Sequence, residues 1–470
     1  MAVDQLDLAL TDKQKEVVDY NGEEVLIKGI AGSGKTTVIL RRANKLLKKN
    51  PDLKIGIFTY NKSLTSYSKE MAKKIGSDNL KVYTFHGWGS SVLKDLLKTY
   101  NLNIFYDSDK KEALNKSIAS IKSNLDHRFI TEEKYKSFLL DEISWMKGKG
   151  FTTREEYKQA VRKGRGGEVR VTKQDRDLIY SLFESYEYAR VGKGRIGFDD
   201  FARIIYDKKD QIKDHFKFDH VMVDEAQDLQ QLQLQLLRFI TKKGFVVAAD
   251  KGQKIYKTSF SWKDIGLNIL GGRTKILNNS FRSTKQIVEM ANSLQLHDSV
   301  IHDDEYVKPV MPEYTGPIPE VYQCASRQVQ DQAIVNSIKQ IAEEYPGATI
   351  GVLAREWRSV GRIYHSIKGT EIAYEYLKDG KGNPTSPGVK FSSFHSAKGL
   401  EFDFVIILDL INDERADNKD IHDDEYYDVE RRLLYVSITR AKKHLQVFYY
   451  KEPSRLLLEI DPSTYKKDIF

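Results

Sequence analysis

Short apolar runs alternate with polar, helix-forming stretches along most of the chain. Val25 to Ile27, Ile55 to Tyr60 and Val221 to Val223 are such runs. Apolar runs of this length predict buried strands, and strands that alternate with helices predict a parallel α/β sheet. Further strands are predicted at residues 80–86, 245–250, 349–353, 389–394, 404–408 and 444–448. The pattern therefore favours an α/β protein in two blocks, the second beginning at about residue 273.

A long helical region interrupts this alternation. From roughly Gly87 to Val191 the chain is lysine-rich, with helical patterns at residues 91–102 and 132–145. We interpret this region as an insertion into the first α/β block. The predicted domains are a first block of residues 1–88 and 196–275, a helical insertion of residues 89–195, and a second block of residues 276–470 with a short loop near residues 376–388.

Composition narrows the class of protein. The 470 residues include 40% hydrophobic and 30% charged positions, which is typical of a folded globular protein. A net charge of +8 favours a polyanionic partner, although the surplus is spread over a large surface. Cys324 is the single cysteine, so no disulfide framework can form. Because the sequence also shows neither a signal peptide nor an apolar run long enough for a membrane span, we expect a cytoplasmic protein without a membrane partner.

A glycine-rich loop follows the first predicted strand and precedes a helix. This order of elements is typical of a phosphate-binding loop, in which backbone N–H groups and a helix N-terminus surround the phosphates. Lys35 would reach the β- and γ-phosphates of a nucleotide, and the Thr36 hydroxyl would bind Mg²⁺. The alternative is a glycine turn without a ligand. The predicted nucleotide-binding residues of this loop are Gly29, Gly32, Ser33, Gly34, Lys35, Thr36 and Thr37.

Two adjacent carboxylates end the apolar run at Val221 to Val223. Asp224 and Glu225 therefore lie at the edge where parallel sheets bind ligands. Asp224 would hold Mg²⁺, and Glu225 would orient and deprotonate the water that attacks the γ-phosphate. The alternative is that two acids begin a helix, where the helix dipole favours them. Together with the glycine loop, the pair predicts hydrolysis of a nucleotide.

Several more segments share the residues and the order of one enzyme family. They are residues 8–15, 58–62, 83–86, 197–201, 250–256, 278–283, 394–402 and 431–441. With the glycine loop and the acidic pair, they resemble the motifs of superfamily 1 helicases of the UvrD/PcrA/Rep type, almost from end to end of the chain. The resemblance implies two RecA-like P-loop domains with a mostly helical insertion in the first.

The resemblance also implies roles in the nucleotide site. Gln14 and Phe281 would bind adenine, Gln253 would sense the γ-phosphate, and Glu401 would belong to the same site. A single phosphate-loop domain lacks arginines on the far side of the γ-phosphate, and Arg282 and Arg440 could supply them across a cleft. The alternative for either arginine is a surface salt bridge.

Binding of single-stranded nucleic acid needs aromatic stacking platforms and polar or basic groups for the phosphates. By resemblance and residue type, the candidates are Tyr60, Asn61, His86, Trp88, Tyr256, Trp262 and His395. For each aromatic side chain, packing in the hydrophobic core is the alternative.

The chain departs from the family pattern at three places. The base-stacking tryptophan expected soon after Tyr256 is missing, and Trp262 is the candidate to replace it. Thr37 stands where the family commonly has an arginine. A short loop near residues 376–388 stands where the family has a large second insertion.

We therefore expect an ATP- and Mg²⁺-dependent DNA helicase or translocase. The resemblance implies 3′ to 5′ movement on single-stranded DNA and at single/double-strand junctions, with RNA not excluded as a track. We expect a monomer, with a protein loading partner as an open possibility. One alternative is a DNA-stimulated ATPase that unwinds poorly alone, as a subunit of a repair, replication or anti-phage complex. Another is an ATP-operated binding switch without motor activity.

Overall fold

The computed structural model describes residues 9–60, 62–122, 126–162, 169–255, 260–378, 381–412 and 424–470. The strands are β1 (Glu24–Gly29), β2 (Ile55–Thr59), β3 (Leu80–Thr84), β4 (Phe218–Val223), β5 (Thr241–Ala249), β6 (Thr274–Leu277), β7 (Glu320–Gln323), β8 (Thr349–Ala354), β9 (Tyr374–Tyr376), β10 (Gly388–Ser393), β11 (Phe402–Ile407), β12 (Ala441–Tyr449) and β13 (Lys466–Ile469). The α-helices are α1 (Asp12–Asp19), α2 (Lys35–Lys49), α3 (Lys62–Lys73), α4 (Phe85–Leu96), α5 (Asp107–Lys122), α6 (Arg128–Thr131), α7 (Tyr135–Lys149), α8 (Arg154–Gln159), α9 (Lys173–Gly192), α10 (Phe201–Asp207), α11 (Gln231–Phe239), α12 (Lys285–Gln295), α13 (Arg327–Glu344), α14 (Trp357–Ile367), α15 (Phe394–Ala397), α16 (Asp424–Ile438) and α17 (Arg455–Glu459).

The first half of the chain forms a six-stranded sheet in the order β3-β2-β4-β5-β1-β6. Every neighbouring pair in this sheet is parallel. The central strands are apolar on both faces, as expected for a sheet covered by helices on each side. Because the strands are parallel, their carboxyl ends and the loops that follow them meet at one edge, where such sheets bind ligands.

The second half forms a seven-stranded sheet in the order β13-β7-β12-β11-β8-β10-β9, again with parallel pairs throughout. Its core combines the buried faces of α12 and α16 on one side with those of α13 and α14 on the other. Two parallel α/β sheets confirm the predicted fold class.

Helices α5 to α9 lie between β3 and β4 and have a hydrophobic core of their own. That core includes Phe105, Phe129, Trp145, Tyr157 and Tyr186, all of them buried. Helices α5 and α9 pack against each other, and the Phe105 ring packs edge-on against Tyr186, with ring centroids 5.8 Å apart. The predicted helical insertion is therefore a separately packed layer of helices. Its exact bounds stay a prediction.

Some boundaries predicted from the sequence are wrong. The second block was expected from about residue 273, but β6 pairs with β1 in the first sheet, and Leu277 packs into the first core. A helix was expected over residues 91–102, but α4 begins at Phe85, because the Thr84 hydroxyl caps it by accepting from the Gly87 amide. The short strands β7, β9 and β13 were not predicted, since they have few residues and little apolar alternation.

The two halves pack directly against each other. Ala31 and Ile255 of the first half lie in the same hydrophobic cluster as Phe394 and Leu434 of the second. Among the described residues, no helix is both long and apolar enough to cross a membrane.

Candidate nucleotide and nucleic-acid sites

The loop between β1 and α2 has the backbone of a phosphate-binding loop. Gly32 and Gly34 adopt φ values of 72° and 84°, which side chains other than glycine rarely tolerate. A Cβ on Gly34 would lie 2.6 Å from Gln14 Nε2, and one on Gly32 would lie 2.7 Å from Ser280 Oγ. The loop therefore needs glycine at these positions both for its turn and for the close approach of neighbouring segments.

The Lys35 ammonium group lies inside this loop. Its Nζ donates to the carbonyl oxygens of Gly29 and Ile30 at 3.0 Å each, and it forms an ion pair with Asp250 Oδ2 at 3.4 Å. The Ser33 hydroxyl is buried and has no hydrogen-bond partner within the described part of the chain. A buried cation beside an unpartnered donor suits an anionic phosphate group.

An oxygen-rich cluster lies at the carboxyl end of β4. Thr36 Oγ1 donates to Asp224 Oδ2 at 2.5 Å, and the Glu225 amide donates to Asp224 Oδ1 at 3.0 Å. Burial and the neighbouring Glu225 carboxylate raise the pKa of Asp224. Hydroxyl and carboxylate oxygens are the ligands that Mg²⁺ prefers, so Thr36 and Asp224 fit this metal. The structure brings together the two residues that the sequence predicts for it.

Glu225 adopts a left-handed backbone conformation, with φ 53° and ψ 41°. This conformation directs the chain out of β4, and the carboxylate accepts a hydrogen bond from the Gln227 side chain. Burial disfavours the ionised form, but the cations Lys35 and Lys398 outweigh it and lower the pKa of Glu225. Glu225 is therefore ionised at neutral pH.

Arg440 reaches from the second half toward the first. It is 1% exposed, and its guanidinium donates to Gln253 Oε1 at 2.9 Å, to the Leu400 carbonyl at 3.1 Å and to the Val436 carbonyl at 2.8 Å. Burial, reinforced by the nearby Arg282 cation, lowers the pKa of Arg440 to about 9. The arginine thus stays charged at neutral pH in a buried position, which excludes the surface salt bridge as its role.

Arg282 forms a second set of contacts on the same side of the cleft as Arg440. Its Nε donates to Glu401 Oε2 at 3.0 Å, and Lys442 contacts Glu401 Oε1 at 2.7 Å. Burial opposes ionisation of Glu401, but the two cations outweigh it and lower its pKa to about 2. A carboxylate between two cations therefore forms one wall of the cleft.

The side of the cleft near α1 holds the residues predicted for adenine. Thr11 and Gln14 form a capping box at the start of α1, and Gln14 Nε2 donates to the Ser33 carbonyl at 3.1 Å. The Phe281 amide donates to the Gly32 carbonyl at 2.9 Å, while the Phe281 ring is 56% exposed. Gln14 is thus fixed against the loop, and an open aromatic face lies beside it.

Most of these groups line one cavity of about 500 Å³ between the two halves, whereas the predicted residues Gly29 and Asp224 lie outside its lining. The predicted residues that line it are Gln14, Gly32, Ser33, Gly34, Lys35, Thr36, Thr37, Glu225, Gln253, Phe281, Arg282, Glu401 and Arg440. The lining also includes Thr11, Tyr67, Gly399 and Lys442, which were not predicted as site residues. Lys442 could have been found from its place two residues after Arg440. Tyr67 has no such signal, because only the fold brings α3 to the cavity.

The predicted nucleic-acid residues lie at the carboxyl ends of several strands. Tyr60 follows β2 and is half-buried. His86 follows β3, and its Nε2 lies 3.3 Å from the Phe198 carbonyl oxygen. His395 follows β10, and burial together with the Arg355 and Lys398 cations lowers its pKa to about 4. Asn61 and Tyr256 lie outside the described residues.

Trp88 and Trp262 are not open stacking platforms. Trp88 is 2% exposed, and its indole donates to the Phe216 carbonyl at 3.2 Å. Trp262 is 6% exposed and packs edge-on against Phe260, with ring centroids 5.4 Å apart. Both rings belong to the hydrophobic core of the first half, as in the alternative that the sequence left open for them.

Comparison with known proteins places the chain in one family. Residues 10–263 match the model of the UvrD/REP helicase N-terminal domain, and residues 376–452 match that of the UvrD-like helicase C-terminal domain.

The chain is 29% identical over 316 residues to a probable DNA helicase II homolog of Mycoplasma capricolum, covering 62% of this chain and 42% of that protein. It is 24% identical over 315 residues to the ATP-dependent DNA helicase PcrA of Staphylococcus aureus, covering 62% and 40%, respectively. The match to ATP-dependent DNA helicase Rep of Buchnera aphidicola is 23% over 315 residues, covering 61% and 43%. The aligned region thus spans less than half the length of these relatives. Since the N-terminal family model alone matches more than half of the chain, the protein belongs to the UvrD/REP family of superfamily 1 helicases.

Proposed function

We propose that the protein is an ATP- and Mg²⁺-dependent motor that moves along single-stranded DNA and separates duplex strands. The observation that supports this most directly is the shared cavity, because each half contributes charged groups to it. A site split between two domains links the distance between them to the presence of the γ-phosphate. The names of the relatives, which are DNA helicases, favour DNA as the track.

Each predicted residue takes a role in ATP turnover. Lys35 binds the β- and γ-phosphates, Thr36 and Asp224 hold Mg²⁺, and Glu225 orients the attacking water. Bound Mg²⁺ neutralises phosphate charge. Gln14 and Phe281 hold the base, and Glu401 belongs to the same nucleotide site. This assignment is supported by the hydrogen bond from Thr36 to Asp224 and by the position of Gln14 against the loop.

Gln253, Arg282 and Arg440 connect the γ-phosphate position to the second half. Arg440 contacts Gln253 across the cleft. A change in the γ-phosphate that these two residues bind would therefore alter contacts in both halves. A buried ion pair, Lys398 Nζ to Asp228 Oδ2 at 2.6 Å, joins the halves next to this contact. Lys398 lies three residues from His395, a predicted nucleic-acid contact. The segment from His395 to Glu401 therefore links the strand-binding edge to the nucleotide cavity.

The helical layer of α5 to α9 would lie over the tracked strand as the insertion of the first RecA-like domain. We assign the first domain to the strands β1 to β6 and the second to β7 to β13. Tyr60, His86 and His395 are the described residues proposed to contact the strand. Asn61 and Tyr256 are proposed for the same surface on their sequence alone.

Stimulation of ATP hydrolysis by nucleic acid is the first test. We expect single-stranded DNA to raise the ATPase rate of the purified protein, because closure of the cleft would complete the ATP site. The same preparation is assayed with single-stranded RNA and with duplex DNA to identify the track. An ATPase rate that no nucleic acid changes would favour a binding switch over a motor.

The direction of movement is the second test. We expect the protein to unwind a duplex with a 3′ single-stranded tail and to leave a 5′-tailed duplex of the same sequence intact. Strand displacement of both substrates is measured by gel or by fluorescence in the presence of ATP and Mg²⁺. Unwinding from 5′ tails alone would contradict the proposed 3′ to 5′ polarity.

A second candidate function is a translocating ATPase that unwinds poorly without a partner protein. The observation that favours it is the short connection between β9, which ends at Tyr376, and β10, which begins at Gly388. This connection stands where the family has a large second insertion. Robust unwinding of long duplexes by the purified protein alone would argue against this candidate. DNA-stimulated ATP hydrolysis with little strand displacement would support it.

A further inference from the structure

An aromatic cluster lies at the edge of the second sheet, away from the nucleotide cavity. Trp357 begins α14 just after β8, and Tyr376 ends β9; their ring centroids are 5.1 Å apart. Tyr364 packs against Tyr376 at 5.2 Å and against Phe391 of β10 at 5.8 Å. The order β8-β10-β9 is parallel, so the carboxyl ends of these strands meet at one edge. Trp357 and Tyr376 therefore lie at that edge.

The same edge holds a proposed nucleic-acid contact. His395 follows β10, the strand between β8 and β9, and Arg355 follows β8. Arg355 is close enough to His395 to contribute to its lowered pKa. Arg355 forms a bidentate pair with Glu430. Its Nε donates to Oε2 and its Nη2 donates to Oε1, each at 2.8 Å. The surface from His395 through Arg355 to Trp357 is therefore continuous along the carboxyl edge.

Trp357 differs from the other tryptophans in its exposure. Of the four in the chain, Trp88, Trp145 and Trp262 are at most 6% exposed, whereas Trp357 is only partly buried. The Lys378 ammonium lies 5.7 Å from the centroid of the Trp357 ring system. Arg358 is 85% exposed beside it, where it pairs with Glu356 at 2.6 Å. A partly open indole with cations around it has the chemistry that binds a base and its phosphate.

We propose that Trp357, supported by Tyr376 and Lys378, is a base-stacking platform that extends single-strand binding from His395 to the outer edge of the second sheet. This inference rests on the proposed function, since it adds a contact to the same strand. The platform accepts any base, because every base has a π-face. Lys378 contributes by neutralising a phosphate. Arg355 and Arg358 are each paired with a glutamate, so the continuity with His395 and the Lys378 cation are what favour a nucleic acid as the occupant.

Fluorescence offers a direct test, because Trp357 is the tryptophan best placed for contact with a base. Binding of an unlabelled oligothymidylate to the full chain is followed by quenching of tryptophan emission, and affinity by anisotropy of a labelled copy. Trp357→Phe should remove most of the quenching and keep affinity within about threefold, since an aromatic ring remains. Trp357→Ala should weaken binding by about tenfold. Lys378→Ala should reduce the slope of log affinity against log salt by about 0.7.

Tyr345→Ala is the matched control. Tyr345 is 42% exposed and stacks on Phe404 at 5.0 Å, but it precedes β8 and so lies at the opposite edge of the sheet. Its loss should leave DNA affinity and quenching unchanged. Thermal unfolding of each variant shows whether the alanine substitutions disturb the fold, and Trp357→Phe tests the quenching without removing the ring.

Two outcomes would overturn the platform. One is quenching that persists in Trp357→Phe; the other is a folded Trp357→Ala variant that binds DNA as tightly as the wild-type protein. If the wild-type ATPase is still stimulated by single-stranded DNA in that case, the platform is wrong while the proposed function stands. If the wild-type protein neither binds DNA nor responds to it, the proposed function fails first, and the platform fails with it.

Discussion

Replacing Arg440 with alanine is expected to lower the turnover number for ATP by about a thousandfold or more, the effect of removing an arginine that stabilises phosphoryl transfer. The guanidinium is 1% exposed and lies beside a second cation, Arg282. A buried charge acts in a medium of low dielectric, so its attraction for the charge that develops on the γ-phosphate is strong. Steady-state ATPase kinetics on the DNA-stimulated enzyme measure this loss.

Two controls separate chemistry from folding in this experiment. Arg440→Lys keeps the charge but loses the planar fork that contacts Gln253 and the Leu400 carbonyl together, so its rate should lie between those of the wild type and the alanine variant. Lys443→Ala changes an exposed cation on the same strand, β12, and should leave turnover within about twofold, as surface substitutions usually do. A folded Arg440→Ala protein with a turnover number within tenfold of wild type would contradict the proposed role.

The position of Arg440 also explains how ATP could draw the halves together. Arg282 and Arg440 both line the cavity, and after burial the nearby Arg282 cation contributes most to the lowered pKa of Arg440. Like charges at close range destabilise the site when no anion is present. A triphosphate held by Lys35 in the first half would relieve this repulsion and so attract both arginines toward the first half. Hydrolysis and phosphate release would restore it, which gives a physical reason for opening after each cycle.

The sequence predicted much of the fold because its strongest signals are local. The glycine loop needs glycine at 32 and 34 for positive φ values, and the apolar strands β1, β2, β4 and β5 are buried on both faces. Short elements were harder to predict. β6 has only four residues and borders the motif that contains Arg282. Nothing in this short segment indicates that it pairs with β1. Pairing between distant strands is a tertiary property.

Exposure of aromatic side chains was the least predictable feature of the site. Trp88 and Trp262 resemble candidate platforms in the sequence, yet both are buried in the core of the first half. Trp357 was not predicted, because nothing beside it in the sequence matches a known contact; its neighbour Tyr376 comes from another strand. Tyr67 also lines the nucleotide cavity without a signal in the sequence, because only the fold brings α3 to it. Whether an aromatic ring packs or remains open depends on which elements the fold places around it.

Replacing Glu225 with glutamine is expected to slow ATP hydrolysis by about 10²- to 10⁴-fold while ATP and DNA still bind. Glutamine has nearly the same shape and keeps the left-handed backbone at this position, so the neighbouring Asp224 and Gln227 contacts survive. Single-turnover kinetics with a fluorescent nucleotide measure binding and hydrolysis separately. Lys35→Ala serves as the contrasting variant, because it should lose ATP binding together with turnover and keep nucleotide-free DNA binding.

The lowered pKa of Glu225 sharpens this expectation. Lys35 and Lys398 outweigh the effect of burial, so the carboxylate is already ionised well below neutral pH. A carboxylate of low pKa is a weak base, and its main contribution is then to orient the attacking water. A carboxylate with a lowered pKa stays ionised as the pH rises. Titration of Glu225 should therefore leave the turnover number unchanged between pH 6 and pH 8. It should fall only in acid, as the carboxylate becomes protonated. Near-normal turnover in the glutamine variant would show that another residue positions the water.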